Sequence, residues 1–161
     1  MEARLRQIAD YLLVLRRAAE VNPLVISPNL LPHFFVLEIG RSQGERAIQL
    51  RIRLAGTAID QYFGRRLVGH HLEDFVHGPR GGDVIEAFHR CAGTHEPLWM
   101  RQIAQLHSDE LQTTRSVPRF VEGVTIYLEP DRIYGGLIVG DAIVPFEPGT
   151  FQCEVIAKGN A

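Results

Sequence analysis

Hydrophobic and polar residues alternate most regularly at positions 47–54. The apolar members of this run are Ile48, Leu50, Ile52 and Leu54, and the polar members include Arg51 and Arg53. Successive side chains of a β-strand point to opposite faces, so the alternation predicts a half-buried antiparallel strand. We expect this strand to pair with residues 33–39, which are rich in β-formers and follow a proline.

Apolar residues at three- and four-residue spacing mark the N-terminal segment 2–20 as an amphipathic helix. The stripe consists of Leu5, Ile8, Leu12 and Leu15. It either packs on its own domain or pairs with a second copy. Because Arg51 and Arg53 place charge on one side of the strand at 47–54, that side offers less apolar area to cover the stripe. We therefore favour a homodimer that buries part of it.

The rest of the pattern predicts further short elements. Gly56 ends the strand at 47–54, and a short helix follows and stops at Gly64. A longer helix is expected over 83–92, and strands over 97–106, 120–128, 133–139 and, in the tail, near 151–156. Strands on both sides of a helical block predict an α+β fold. We expect a five-stranded antiparallel sheet with the helices of 57–92 on one face, preceded by the N-terminal helix.

Three segments carry a resemblance to a known family. They are NPLVISPNLLPHFFVLEI at 22–39, RLAGTAIDQYFGRRLVGHHLEDF at 53–75 and IYLEPDRIYGGLIVG at 126–140. Their order resembles that of PAS domains, and most of all a bacterial family of short, mostly stand-alone PAS proteins. The resemblance implies a sensory or partner-binding role and supplies no catalytic residue. With it we divide the chain into an N-terminal helix at 1–21, a PAS-like domain at 22–140 and a C-terminal extension at 141–161.

Charge and composition narrow the classes of function. With 17 basic and 19 acidic residues the net charge is -2, which indicates neither a nucleic-acid interface nor a polybasic membrane patch. No apolar run approaches the roughly 20 residues that span a bilayer, and the charged N-terminus lacks the apolar core of a signal peptide. Cys91 and Cys153 form no CxxC pair, so we interpret them as reduced thiols and leave one disulfide open. We expect a cytoplasmic protein.

A run of histidines and acids is the most metal-like feature. It comprises His70, His71, Glu73, Asp74 and His77. The spacing is not HExxH and no cysteine lies nearby, so it lacks the pattern of a zinc site. We interpret the run as a solvated helix start. The alternative function that depends on it is a small metal-dependent α+β enzyme.

Cofactor binding centres on the predicted helix over 83–92. His89 lies in the helix that carries the iron-binding histidine of haem-binding PAS proteins. Its periodicity directs Phe88 and Cys91 inward and His89 toward water. Cys91 lies inside this helix and not in the short Asn-Cys-Arg motif of flavin-binding relatives. We therefore expect no cofactor and keep a haem-binding sensor as the alternative.

Aromatic residues supply the preferred candidate site. The proposed ligand-binding set is Phe63, Phe75, Phe88, Cys91 and Trp99, on elements that would surround the central cavity of a PAS fold. Core packing is the commoner fate of such side chains. The expected function is a non-enzymatic sensory or interaction module. It would act through a protein partner, through dimerisation or through a small apolar ligand.

Overall fold

A computed structural model of the chain describes residues 1–18, 26–41, 48–76, 80–106, 117–128, 130–143 and 151–156. In these ranges the helices are α1 (Ala3–Ala18), α2 (Thr57–Phe63) and α3 (Gly81–Thr94). The strands are β1 (Phe34–Arg41), β2 (Ile48–Ala55), β3 (Leu98–Leu106), β4 (Val117–Leu128), β5 (Arg132–Ile143) and β6 (Phe151–Val155). Short 3-10 turns lie at Leu31–His33 and Leu72–Asp74.

The strands form one antiparallel sheet in the order β2-β1-β5-β4-β3-β6. The predicted α+β class is confirmed, but within the described ranges the sheet has six strands and not five. The sixth is β6, which pairs with β3 and turns Phe151 and Cys153 toward the core beneath α3. Part of the segment 141–161, taken as a C-terminal extension, therefore belongs to the sheet, as does the end of β5 at Ile143.

Helices cover both faces of the sheet. The inner face, as we name it, lies beneath α2 and α3 and packs side chains such as Leu50, Phe88 and Ile133. The outer face lies beneath α1, which contacts β4 and β5. The expected placement of the helices of 57–92 on one face is correct, and α1 completes a three-layer arrangement on the opposite face.

The stripe of α1 packs against the outer face of its own sheet. Leu5 and Leu12 are 0% exposed, and Ile8 and Leu15 are also buried. The stripe thus packs on its own domain, which was the alternative to the favoured dimer interface. No part of the stripe stays exposed for contact with a second copy. Arg51 does not oppose this packing, because β2 is the edge strand whereas α1 lies over the central pair β4 and β5. The homodimer itself stays a prediction.

A bulge interrupts the alternation of β2. Val36 pairs with Leu54 and Leu37 pairs with Ile52, so Arg53 is the extra residue between them. A one-residue insertion moves every later side chain to the opposite face. Leu54 is consequently 36% exposed on the outer side and does not share a face with Ile52, which corrects the expectation from the pattern. The residues before the bulge alternate as predicted.

Two consecutive glycines in β5 lie where other parts of the chain approach the strand closely. A Cβ at Gly136 would lie 2.5 Å from the Ile8 Cδ1 atom of α1. A Cβ at Gly135 would collide with the Val124 carbonyl and the Phe35 ring, which belong to neighbouring strands. Glycine is used here for close approach, since a side chain would displace the element packed above it.

We expect Gly136→Ala to lower the free energy of unfolding by about 1–3 kcal/mol, because the added methyl overpacks the contact between α1 and β5. Gly140→Ala is the matched control in the same strand, where a Cβ makes only ordinary contacts at 3.6 Å or more. Denaturant unfolding measures both variants. In a chain that already carries Ile8→Ala, Gly136→Ala should lower the free energy of unfolding by less, because the Ile8 side chain that the new methyl meets is gone. An undiminished cost would show that Gly136 is required for another reason.

Candidate functional site

Two of the five proposed ligand-binding residues lie in the inner core. Phe88 and Cys91 are buried on the sheet-facing side of α3, as their spacing predicted. The Phe88 ring lies 5.9 Å from the ring of Phe35 on β1, measured between centroids. These two residues pack between α3 and the sheet, where an apolar ligand on the inner face would have to lie.

Phe63 and Phe75 lie at the rim of the same layer. They are half-buried against the inner core, and their ring centroids are 6.3 Å apart in an edge-to-face contact. The Arg65 guanidinium lies 4.2 Å from the centre of the Phe75 ring, and the His70 ring meets the same ring edge-on. The cation–π contact of Arg65 connects the Phe75 ring to a charged edge that faces solvent.

Trp99 does not join this set. Along β3, Leu98 and Met100 face the inner core, so Trp99 between them points to the outer face and packs in the layer of α1. Its indole Nε1 donates a hydrogen bond to Glu122 Oε2 at 3.2 Å. The predicted placement of Trp99 beside the inner-face aromatics is therefore wrong.

Glu122 organises a polar cluster that sequence analysis did not single out. We call the Glu122 cluster the group formed by Met1, Glu2, Trp99, Arg101 and Glu122. The Glu2 amide donates to Glu122 Oε2 at 3.0 Å, the terminal amino group lies 3.8 Å from the same oxygen, and Arg101 Nε lies 3.6 Å from Oε1. The cluster attaches the two residues that precede α1 to β3 and β4. A glutamate between apolar strand residues gives no sequence signal for such a role.

The start of α1 is capped by Glu2. Its carboxylate accepts hydrogen bonds from the amides of Arg4 at 2.8 Å and Leu5 at 3.2 Å, which are otherwise unpaired donors of the first turn. Burial acts to raise the pKa of Glu2, but the Arg4 side chain and these amides outweigh it and hold the pKa below its ordinary value. A negative charge at this end of the helix is favourable.

His33 is a buried histidine beneath the same end of α1. It is 8% exposed, and Arg4 Nη1 lies 3.3 Å from its Nε2. Because the guanidinium can only donate, Nε2 must accept, which requires a neutral imidazole. Burial and the charge of Arg4 lower the pKa of His33, whereas the main chain of Leu137 and the charge of Glu2 act in the opposite direction.

Cys91 is unsuited to act as a nucleophile. Its thiol is fully buried, and burial raises its pKa to about 11, although the neighbouring Thr125 side chain and Tyr127 main chain oppose the rise. The thiolate is the reactive form of cysteine, so this residue stays in its inert state at neutral pH. Cys91 and Cys153 are both free.

The histidine–acid run does not converge on one point. Glu73 Oε1 accepts a hydrogen bond from the Leu50 amide at 3.3 Å and lies 3.8 Å from His89 Nε2, so His89 is turned toward the 3-10 turn and away from the apolar core. The main chain of His71 forms an isolated antiparallel β-bridge with Arg51 at the sheet edge. Within the described ranges no three His, Cys, Asp or Glu side chains form a metal-type group, and His77 lies outside those ranges.

Comparison of the chain with protein-family models, with curated proteins and with solved structures finds no match. None of the helices in the described ranges combines the length and the apolar character needed to cross a bilayer.

Protonation of His33 should weaken the attachment of α1. Unfolded histidine titrates near 6.5 and the folded pKa of His33 lies below it, so the folded state binds protons less readily. This contribution to the free energy of unfolding is fully present above pH 6.5. It is lost as the pH falls from 6.5 toward the lower pKa that His33 has in the folded state. We expect His33→Gln to reduce the loss of unfolding free energy between neutral and mildly acidic pH.

His71→Gln is the control for this measurement, since it removes a half-exposed imidazole at the sheet edge. The change in the pH dependence of unfolding should be larger in the His33 variant than in this control. Equal slopes in the His33 variant and the original chain would contradict the role assigned to His33.

Proposed function

We propose that the chain is a non-enzymatic sensory or interaction module of the PAS type, located in the cytoplasm. Its helical block lies between β2 and β3, on one face of an antiparallel sheet, as the resemblance implies. The observation that carries the proposal is that β4 and β5 are packed on both faces, by α3 on the inner side and by α1 on the outer side. A structural change at the inner face would therefore act on the same two strands against which α1 packs.

Adjacent residues of these strands connect the two layers. Thr125 is fully buried beside Cys91 of α3, whereas its neighbour Val124 packs in the layer of α1. Gly135 lies against Phe35 on the inner side, and Gly136 lies against α1. A small apolar ligand held near Phe63, Phe75, Phe88 and Cys91 would shift β4 or β5 and change the affinity of the sheet for α1. Such a ligand acts only by its difference in affinity for the two states.

Release of α1 would supply the output of the module. The four residues of the stripe and the outer face, including Phe34 and Ile126, are buried together. Exposing them would create a large apolar patch of the kind that binds protein partners. We propose that a signalling partner or a second copy of the chain binds this uncovered surface.

A form lacking residues 1–18 should self-associate or bind a hydrophobic dye, because the outer face loses its cover. Size measurement by light scattering on the truncated and intact chains tests this. Leu12→Asp in the intact chain is the companion variant, since it places a charge at a residue that is 0% exposed. A truncated form that stays as monodisperse and as dye-free as the intact chain would refute the proposed output surface.

The ligand and its coupling to α1 can be tested with one reporter. Trp99 is the single tryptophan and lies in the layer of α1, on the face opposite the proposed ligand. Native mass spectrometry of gently purified protein should detect an added small-molecule mass that Phe88→Trp, which fills the inner core, abolishes. Protein stripped of that mass should differ in Trp99 emission. No added mass would contradict the ligand, and unchanged emission after stripping would contradict the coupling.

A further inference from the structure

A charged cleft lies at a corner of the outer face that α1 does not cover. Strand register places Glu38 of β1 opposite Arg51 of β2 on one side and Arg132 of β5 on the other. Residues paired across strands project from the same face, so the three side chains are neighbours. With His71 and Asp131 they line a cleft of about 590 Å³.

In this corner the positive side chains outnumber the carboxylates. Glu38 Oε2 is 3.4 Å from Arg53 Nε, and Asp131 Oδ1 is 3.9 Å from Arg41 Nη2. Each carboxylate thus already has an arginine partner. Arg51 and Arg132 form no ion pair within the described part of the chain. Among the described residues two positive charges are therefore left over in this corner, on a chain whose net charge is -2.

We infer that this cleft binds a small organic anion that carries carboxylate or phosphate groups. Arg51 and Arg132 flank the cleft, and a guanidinium matches the geometry of either group through paired hydrogen bonds. The volume falls within the range of sites for small molecules, roughly 300–1,000 Å³. Half-burial of Arg132 and His71 keeps part of the cleft away from bulk water, which strengthens the attraction of charges.

Glu38 sets the strength of binding. Its carboxylate lies between the two arginines in the strand register, so its negative charge repels an incoming anion. Removing its charge should therefore strengthen binding, whereas removing the arginines should abolish it. This opposite pair of outcomes separates a built site from a general attraction of anions. The inference concerns the outer corner of the sheet and does not depend on the proposed inner-face ligand.

The test is a titration of the full-length chain with inorganic phosphate and, separately, with succinate, followed by amide NMR shifts at low salt. Saturable shifts are expected at the cleft, including Gly40 and His71. Arg51→Gln with Arg132→Gln should weaken binding by at least about tenfold. Glu38→Gln should tighten it. Arg6→Gln with Arg17→Gln, on the exposed side of α1, is the control matched in charge to the double variant, and it should leave binding unchanged.

The two anions distinguish the ligand classes. Saturation by phosphate alone assigns a phosphorylated ligand, and saturation by succinate alone assigns a carboxylate. If neither saturates, or if the double variant binds as the original chain does, the inference is wrong. Arg51 is exposed, so Arg51→Gln alone serves as the test should the double variant fail to fold.

Discussion

The approach of α1 to β5 at Gly136 is the contact on which the rest of the structure depends. A side chain at Gly136 would hold Ile8, and with it the helix, away from the strand. At the observed distance the stripe of α1 is buried, and each such aliphatic contributes about 1.5–3 kcal/mol. At Gly135 the close approach is within the sheet, where a Cβ would collide with the Val124 carbonyl and the Phe35 ring of the neighbouring strands.

Polar contacts then fix where α1 begins. Apolar packing alone is non-directional and would tolerate sliding of the helix along the sheet. The Glu122 cluster, the Glu2 cap and the pairing of Arg4 with His33 all lie at one end of α1 and attach it to specific atoms. Partly buried charges of this kind are costly to leave unpaired, which makes the docked state of α1 distinct from any shifted one. The two-state output proposed for α1 requires a docked state that is distinct in this way.

Local periodicity predicted most elements but not which surfaces meet. The spacing of α1 identified its buried stripe, yet only the strand order shows that the central strands, and not charged β2, lie beneath it. The bulge at Arg53 has no signal in a pattern that alternates through it, so Leu54 was placed on the wrong face. Trp99 was misplaced because both faces of β3 are covered, which weakens alternation. β6 was expected as a strand, but its pairing with distant β3 is non-local.

The most direct test of the account is whether α1 docks on the sheet of its own chain. Isotope-filtered nuclear Overhauser measurements on a mixture of labelled and unlabelled protein separate contacts within a chain from contacts between chains. The structure predicts a strong contact between the Ile8 methyl groups and the Gly136 α-protons that arises only within one chain. The same contact observed between labelled and unlabelled chains, or its absence altogether, would contradict the docked helix and the function proposed from it.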